Sequence, residues 1–229
     1  MILIETATEV CSVALAVDNK IISLRENRQG LTHSANAAKF VDEALAEAKL
    51  QMQDIDAVVV SSGPGSYTGL RIGVSLAKGL CYGADKKLIA INTLTSMAYG
   101  LDVKYIEAGN TLLCPMIDAR RMEVYASIFG KDYSEIKTPE AVIIDENSFQ
   151  PYLDKQKVVF FGDGAAKTTS TITHPNTIFV DDFKISATSL LQPAIEKFDR
   201  NEFEDVAYFE PFYLKEFQTS TPKKNILGL

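Results

Sequence analysis

The chain has 229 residues, 46% of them hydrophobic, with 23 Lys and Arg against 30 Asp and Glu and a formal charge of −7. This length buries a core as one large domain or as two ordinary lobes, and the composition excludes a disordered or low-complexity chain. The acidic balance excludes an unaided nucleic-acid binder, whose affinity would rest on lysines and arginines at phosphates. Short strands are expected at residues 2–6, 11–17 and 21–25, each alternating or β-branched between polar turns. The first apolar run, Met1-Ile2-Leu3-Ile4, is too short for a signal peptide and no stretch reaches the ~18 apolar residues of a membrane span, so a cytoplasmic protein with no membrane association is expected. A helix follows at about 34–50, with His33 at its start and Thr32 or Ser34 as cap. A strand at 55–60, a helix at 70–82, a strand at 88–91 and a helix from Thr93 complete the first half, an order that reads as a mixed sheet with helices packed on it. Cys11, Cys81 and Cys114 are far apart in apolar sequence and are expected as core residues.

The second half repeats the start of the first. With Glu5 laid on Asp118, residues 2–4 fall near 115–117 and residues 11–15 fall on 124–128, so each half opens with a hairpin whose first strand ends in an acid. Val58-Val59-Val60 before Gly63-Pro64-Gly65 is echoed by Val158-Val159-Phe160 before Gly162-Asp163-Gly164. The boundary is expected near 102–109, giving lobes 1–104 and 105–229.

Between strand and helix lies Ser61-Ser62-Gly63-Pro64-Gly65-Ser66-Tyr67-Thr68-Gly69-Leu70-Arg71-Ile72-Gly73. A glycine-rich turn of this kind can present backbone N–H groups to an anion. It is not a Walker A loop, because Gly69-Leu70-Arg71 stands where Gly-Lys-Ser/Thr is needed, and its third glycine comes one residue late for a dinucleotide fingerprint. From Gly63 to Gly73 the segment resembles the signature of the bacterial TsaB (YeaZ) family. The resemblance extends to residues 1–6, His33-Ser34, Met116-Ile117-Asp118-Ala119-Arg120-Arg121 with Tyr125, and Pro211-Phe212-Tyr213-Leu214-Lys215.

The resemblance implies an α/β fold of the ASKHA (actin-like ATPase, RNase H-like) type, with two similar lobes, each a mixed sheet flanked by helices. It implies a non-catalytic accessory subunit that supports the paralogous enzyme TsaD, together with the ATPase TsaE, in placing threonylcarbamoyl on tRNA adenosine. No cofactor is expected in the isolated chain; ATP or ADP belongs to the assembled complex, and tRNA is met only through it. A homodimer is expected when TsaD is absent. ASKHA enzymes place an acid on the first strand of each lobe for Mg²⁺ and phosphates. Glu5 and Asp118 match these, as vestigial phosphate or Mg²⁺ candidates or as braces of their turns. The TsaD paralogues carry a metal-binding H-x-x-x-H pair where this chain has Thr93 and Met97, so no catalytic residue and no metal ligand is expected. Two rival readings are a stand-alone ASKHA ATPase or phosphotransferase acting through Glu5 and Asp118, and a metal-dependent peptidase, which lacks its histidines.

The helix at 70–82 has a narrow polar strip, Arg71, Ser75, Lys78 and Tyr82, and an apolar arc about twice the width needed to face one sheet. The preceding helix carries Ala37, Ala44 and Ala48, edged by Phe40, Val41 and Leu45. Either the two helices cover each other on the sheet, or they meet a partner. The resemblance implies the partner, and the interface is then expected at Ala37, Phe40, Val41, Ala44, Tyr67, Leu70, Val74, Ala77 and Cys81.

Overall fold

The computed structural model describes residues 1–28, 33–106 and 110–215. Strands β1 (Ile2–Glu5), β2 (Cys11–Val17) and β3 (Lys20–Asn27) form an antiparallel meander, followed by helix α1 (His33–Ala48). Strand β4 (Ala57–Gly63), helix α2 (Tyr67–Ala84) and strand β5 (Lys87–Asn92) complete a sheet of order β3-β2-β1-β4-β5, with β4 parallel to both β1 and β5. Helices α3 (Thr93–Tyr99) and α4 (Val103–Ile106) lead into the second half. There β6 (Thr111–Asp118), β7 (Glu123–Phe129) and β8 (Glu135–Ile143) repeat the meander. Helix α5 (Gln150–Leu153) precedes β9 (Lys157–Phe161) and β10 (Thr177–Val180), and the order β8-β7-β6-β9-β10 duplicates the first sheet strand for strand. These are two RNase H-like lobes on one plan. They differ in their helices, since the long α1 and α2 of the first correspond to α5 and a single 3₁₀ turn at Ala166–Thr168 in the second.

Period-two alternation gives the first sheet two apolar faces. Ile2, Ile4, Val13, Leu15, Val58 and Val60 point to one side, and Leu3, Ala14, Ala57, Val59 and Ile89 to the other. The first side is covered by Val41, Ala44 and Leu45 of α1 and by Val74, Ala77 and Cys81 of α2. The second is covered by Ala187, Leu190 and Ala194, from a 3₁₀ turn and helix α6 (Leu191–Asp199) that arrive after the second sheet is finished. Reciprocally, Leu94, Met97 and Ala98 of α3 pack on the second sheet against Leu113, Val159 and Phe161. The lobes thus exchange helices. A cut between 104 and 105 therefore does not yield independent cores, because each sheet must cover both faces and borrows the second cover from the other half. Tyr99 of α3 adds to the junction, stacking on Tyr133 at 4.2 Å and donating its hydroxyl proton to Glu196 of α6 at 3.1 Å.

The expected partner interface is corrected by this packing. Ala37, Val41, Ala44, Leu70, Val74, Ala77 and Cys81 are all buried inside this chain, and Phe40 packs partly against the same core. The wide apolar arc of α2 is used by the sheet on one flank and by α1 on the other, which is the reading in which the two helices cover each other. What α2 shows to solvent is Thr68, Arg71, Ser75, Gly79, Gly83 and Tyr82, the last 87% exposed. Lys78, expected on this strip, instead donates to the carbonyls of Ala207 and Phe209 at 3.2 and 2.9 Å.

After α6, residues 203–215 form a strap interrupted by a turn at 206–208, closed by Phe209 N–H donating to Asp205 O. Glu204 N–H donates to Leu88 O at the free edge of β5, and Val206 and Phe209 pack on the core beneath α2. Phe212 N–H then donates to Ser62 O at 2.7 Å. Because Ala77 is sealed against its own sheet, Ala77→Arg should cost more than about 3 kcal/mol in folding, through overpacking and an unpaired buried charge. Its melting temperature, set against wild type, checks this; an unshifted melt would mean that this flank of α2 is free.

Candidate functional site

The glycine-rich segment is where several parts of the chain meet at backbone distance. Its strand β4 ends at Gly63, whose φ of 117° suits only glycine and whose N–H donates to Thr93 Oγ1 at 3.1 Å. Ser66 caps α2, accepting from Gly69 N–H, while its own N–H donates to Ala7 O at 2.6 Å. Thr6 Oγ1 donates to Gly69 O at 2.9 Å. A Cβ at Gly65 would lie 2.3 Å from Ala7 O, one at Gly69 would lie 2.1 Å from Thr6 O, and one at Gly73 would lie 2.2 Å from Thr6 Oγ1. A Cβ at Gly63 would strike Phe212 O at 2.3 Å. The glycines let the β1–β2 turn and the strap lie on the start of α2. The N–H groups of Gly63, Ser66, Gly69 and Leu70 are thereby engaged within the chain.

The two acids do the same local job in their lobes. Glu5 Oε1 accepts from Ala7 N–H at 2.7 Å and Asp118 Oδ1 accepts from Arg120 N–H at 2.8 Å, each carboxylate closing the turn two residues on. Their surroundings differ. Glu5 is fully buried, takes a further bond from Ser61 Oγ at 3.0 Å and leaves Oε2 without a partner, and burial pushes its carboxyl up to about 7. Asp118 is exposed, pairs with Lys167 and receives a neighbour through its own N–H, which donates to Asp163 Oδ1 at 3.1 Å. Between the lobes a cleft of about 640 Å³ is lined by Thr8, Glu9, His33, Ser66, Tyr67, Asp118, Arg120, Tyr125, Asp163 and the strap residues Phe212, Tyr213 and Lys215. The structure therefore brings Tyr67 and Asp118 to one cavity and leaves Glu5 out of it. His33 opens α1, with Nε2 2.7 Å from Thr8 O; Ser34 is inside the helix, and Thr32 lies outside the described residues.

Ala7 O, Thr6 and Phe212 take up part of the backbone of the glycine-rich turn, while Ser66, Tyr67 and Thr68 line the cleft. Of the two acids, Glu5 is buried with its carboxyl raised to about 7 and Asp118 is paired with Lys167, while Glu9 adds a further carboxylate to the cleft. Thr93 and Met97 are buried in the core. The methyl of Met97 lies against Gly162, and among the described residues no three His, Cys, Asp or Glu could hold a metal ion. The cysteines are free and buried. The strap's place in the cleft is the feature that sequence reasoning missed; the run Pro211 to Lys215 was its one trace.

Two outcomes follow from this geometry. The raised carboxyl of Glu5 supplies stability that is full below the ordinary glutamate range and is lost as pH rises to about 7, because the unfolded chain ionises first. Relative to Glu5→Gln, wild type should therefore lose roughly 3 kcal/mol between pH 4.5 and 8 in urea unfolding. A parallel pH profile for the two proteins would contradict the buried neutral acid. Gly69→Ala should cost about 2–4 kcal/mol in the same assay, while Gly79→Ala, whose Cβ would meet open space, should gain about 0.5–1 kcal/mol. Equal effects at the two glycines would refute the close approach.

Comparison with known proteins accords with this architecture. The sequence model of TsaD, described as tRNA N6-adenosine threonylcarbamoyltransferase, matches residues 27–220. The tRNA threonylcarbamoyladenosine biosynthesis protein TsaB of Haemophilus influenzae is 39% identical over 127 residues, 56% of this chain and 52% of that protein. The TsaB of Escherichia coli is 36% identical over 148 residues, 62% of each, so the match spans half to three fifths of these relatives. YeaZ from Pseudomonas aeruginosa superposes with a TM-score of 0.80 over 93% of this chain and 98% of its own, at 24% identity, and shows the same fold. Two lobes of one RNase H-like plan, a glycine-rich junction closed by its own backbone, and a match over most of the described chain place the protein in the TsaD family, in its TsaB (YeaZ) branch.

Proposed function

We propose that this chain is a non-catalytic subunit of the apparatus that makes N6-threonylcarbamoyladenosine in tRNA, acting in the cytoplasm beside a TsaD enzyme and the TsaE ATPase. The observation that carries the reading is the glycine-rich junction, whose glycines admit the chain's own backbone and whose Gly63, Ser66, Gly69 and Leu70 N–H groups donate to the chain's own carbonyls and hydroxyls. Chemistry and nucleotide then belong to the partners, and the formal charge of −7 leaves the tRNA to them as well. The names of the relatives support the pathway. A docking surface on α1 and α2 must use the side of these helices that the chain leaves open: on α2, Ser75, Gly79, Tyr82 and Gly83, flanked by half-buried Leu76 and Leu80. Small residues at 75, 79 and 83 let another helix come close to the backbone. A homodimer of the free chain would use the same side, because a two-fold interface presents one patch to its copy.

Reconstitution tests the proposal. Purified chain, TsaD, TsaE and tRNA with the small substrates should yield modified adenosine by mass spectrometry, with at least a tenfold fall when the chain is left out, about 1.4 kcal/mol in the barrier. The chain alone should yield none, and product from it would end the proposal. Gly79→Arg should fold as wild type, since its side chain points to water, and should abolish binding to TsaD in sedimentation. Undiminished binding would move the docking surface elsewhere.

A further inference from the structure

The strap joins the lobes by unequal grips. On the first lobe it is held by Glu204 N–H at Leu88 O, by Lys78 Nζ on the carbonyls of Ala207 and Phe209, by Phe212 N–H at Ser62 O, and by the Tyr213 ring, 4.8 Å from that of Tyr67. Gly63 has no Cβ, and that vacancy receives the Phe212 carbonyl. On the second lobe the hold is of another kind, a side-chain ion pair between Lys215 and Glu123 at the start of β7. Glu123 sits on a braced element, since Lys167 donates to its carbonyl at 2.7 Å while also pairing with Asp118 across the hairpin. Lys215 thus fastens to the turn end of the β6–β7 hairpin, the same turn that carries Arg120 into the cleft.

The strap also buries a polar group close to Lys215. Tyr213 Oη is shielded from solvent with no hydrogen-bond partner, a polar penalty that the ring contact and the ion pair must offset. Both members of the pair are largely covered, with side-chain exposures of 35% and 21%, so the attraction is screened less than at an open surface. We propose that residues 203–215 are an interlobe latch: the strap is anchored firmly on the first lobe, and the Lys215–Glu123 pair closes the cleft by fastening it to the second. Releasing that pair frees the strap's end, widens the cleft and uncovers the start of α2. The proposal concerns the chain's own conformation and stands apart from the reading of its function.

Spin labels at Asp42→Cys on α1 and Glu146→Cys on the second lobe report the lobe separation, both positions being exposed while the native cysteines are buried. Pulsed electron resonance on the full chain should give one narrow distance distribution. Lys215→Ala and Glu123→Ala should each lengthen and broaden it, and the double variant should shift it no further than either single change, as expected for one shared interaction. Melting curves run in parallel identify any variant that is not folded. Should Glu123→Ala fail on that count, Lys215→Met, which keeps the apolar stem, must by itself lengthen the distance. An unchanged distribution in the folded lysine variants overturns the latch, and so does a double variant whose shift is the sum of the singles, since the two residues would then act separately.

Discussion

The structure depends on one close approach. The turn after β1 lies against the first turns of α2 at a distance that no side chain could share, and Gly65, Gly69 and Gly73 exist to permit it. From that contact the rest of the first lobe takes its geometry. Ala7 O orders the cap of α2 through Ser66 N–H, Thr6 bonds to Gly69, and Glu5 closes the turn that presents both. The helix start thus packs on the hairpin with one side and lines the cleft with Ser66, Tyr67 and Thr68. The joint is held by hydrogen bonds worth about 1 kcal/mol each net and by the cost of leaving any of them unmade.

The two acids show how similar sequence positions diverge in role. Glu5 and Asp118 end equivalent strands and brace equivalent turns, so the duplication survives in their hydrogen bonds. Burial separates them. Buried at the joint with the glycine-rich segment, Glu5 has its carboxyl raised to about 7 by loss of solvent, whereas Asp118 opens to the cleft and keeps a lysine beside it. The second lobe also lacks the long helices that enclose the first.

Much of the fold was legible in the sequence, because strands of period two and acid-tipped hairpins are local signals. The apolar run Ile2, Leu3 and Ile4 and the echo of Val58–Val60 in Val158–Phe160 stand in short windows, whereas the helix read at 70–82 begins a turn earlier, at Tyr67 after the Ser66 cap. The partner surface was misplaced for a physical reason. An apolar arc too wide for one sheet looks the same whether its second cover is a neighbouring helix of the same chain or a helix of another; here Ala44 and Ala77 lie in one buried cluster shared by α1, α2 and the sheet, and Ala37 is buried as well. The exchange of α3 and α6 and the course of the strap were illegible. They rest on contacts such as Ser12 Oγ with Ala187 N–H, at 2.9 Å, which no local pattern encodes.

That exchange has a bearing on how the chain is made. The strands of the first sheet are complete at Asn92, yet the face formed by Leu3, Val59, Ile89 and Ile91 stays open until Ala187, Leu190 and Ala194 are available, roughly 95 residues later. At ~5–20 residues per second a ribosome needs on the order of 5–20 s to deliver them. Until then that face of the first sheet has no cover from its own chain, and the closing of its core rests on contacts of large sequence separation, the kind that slow folding.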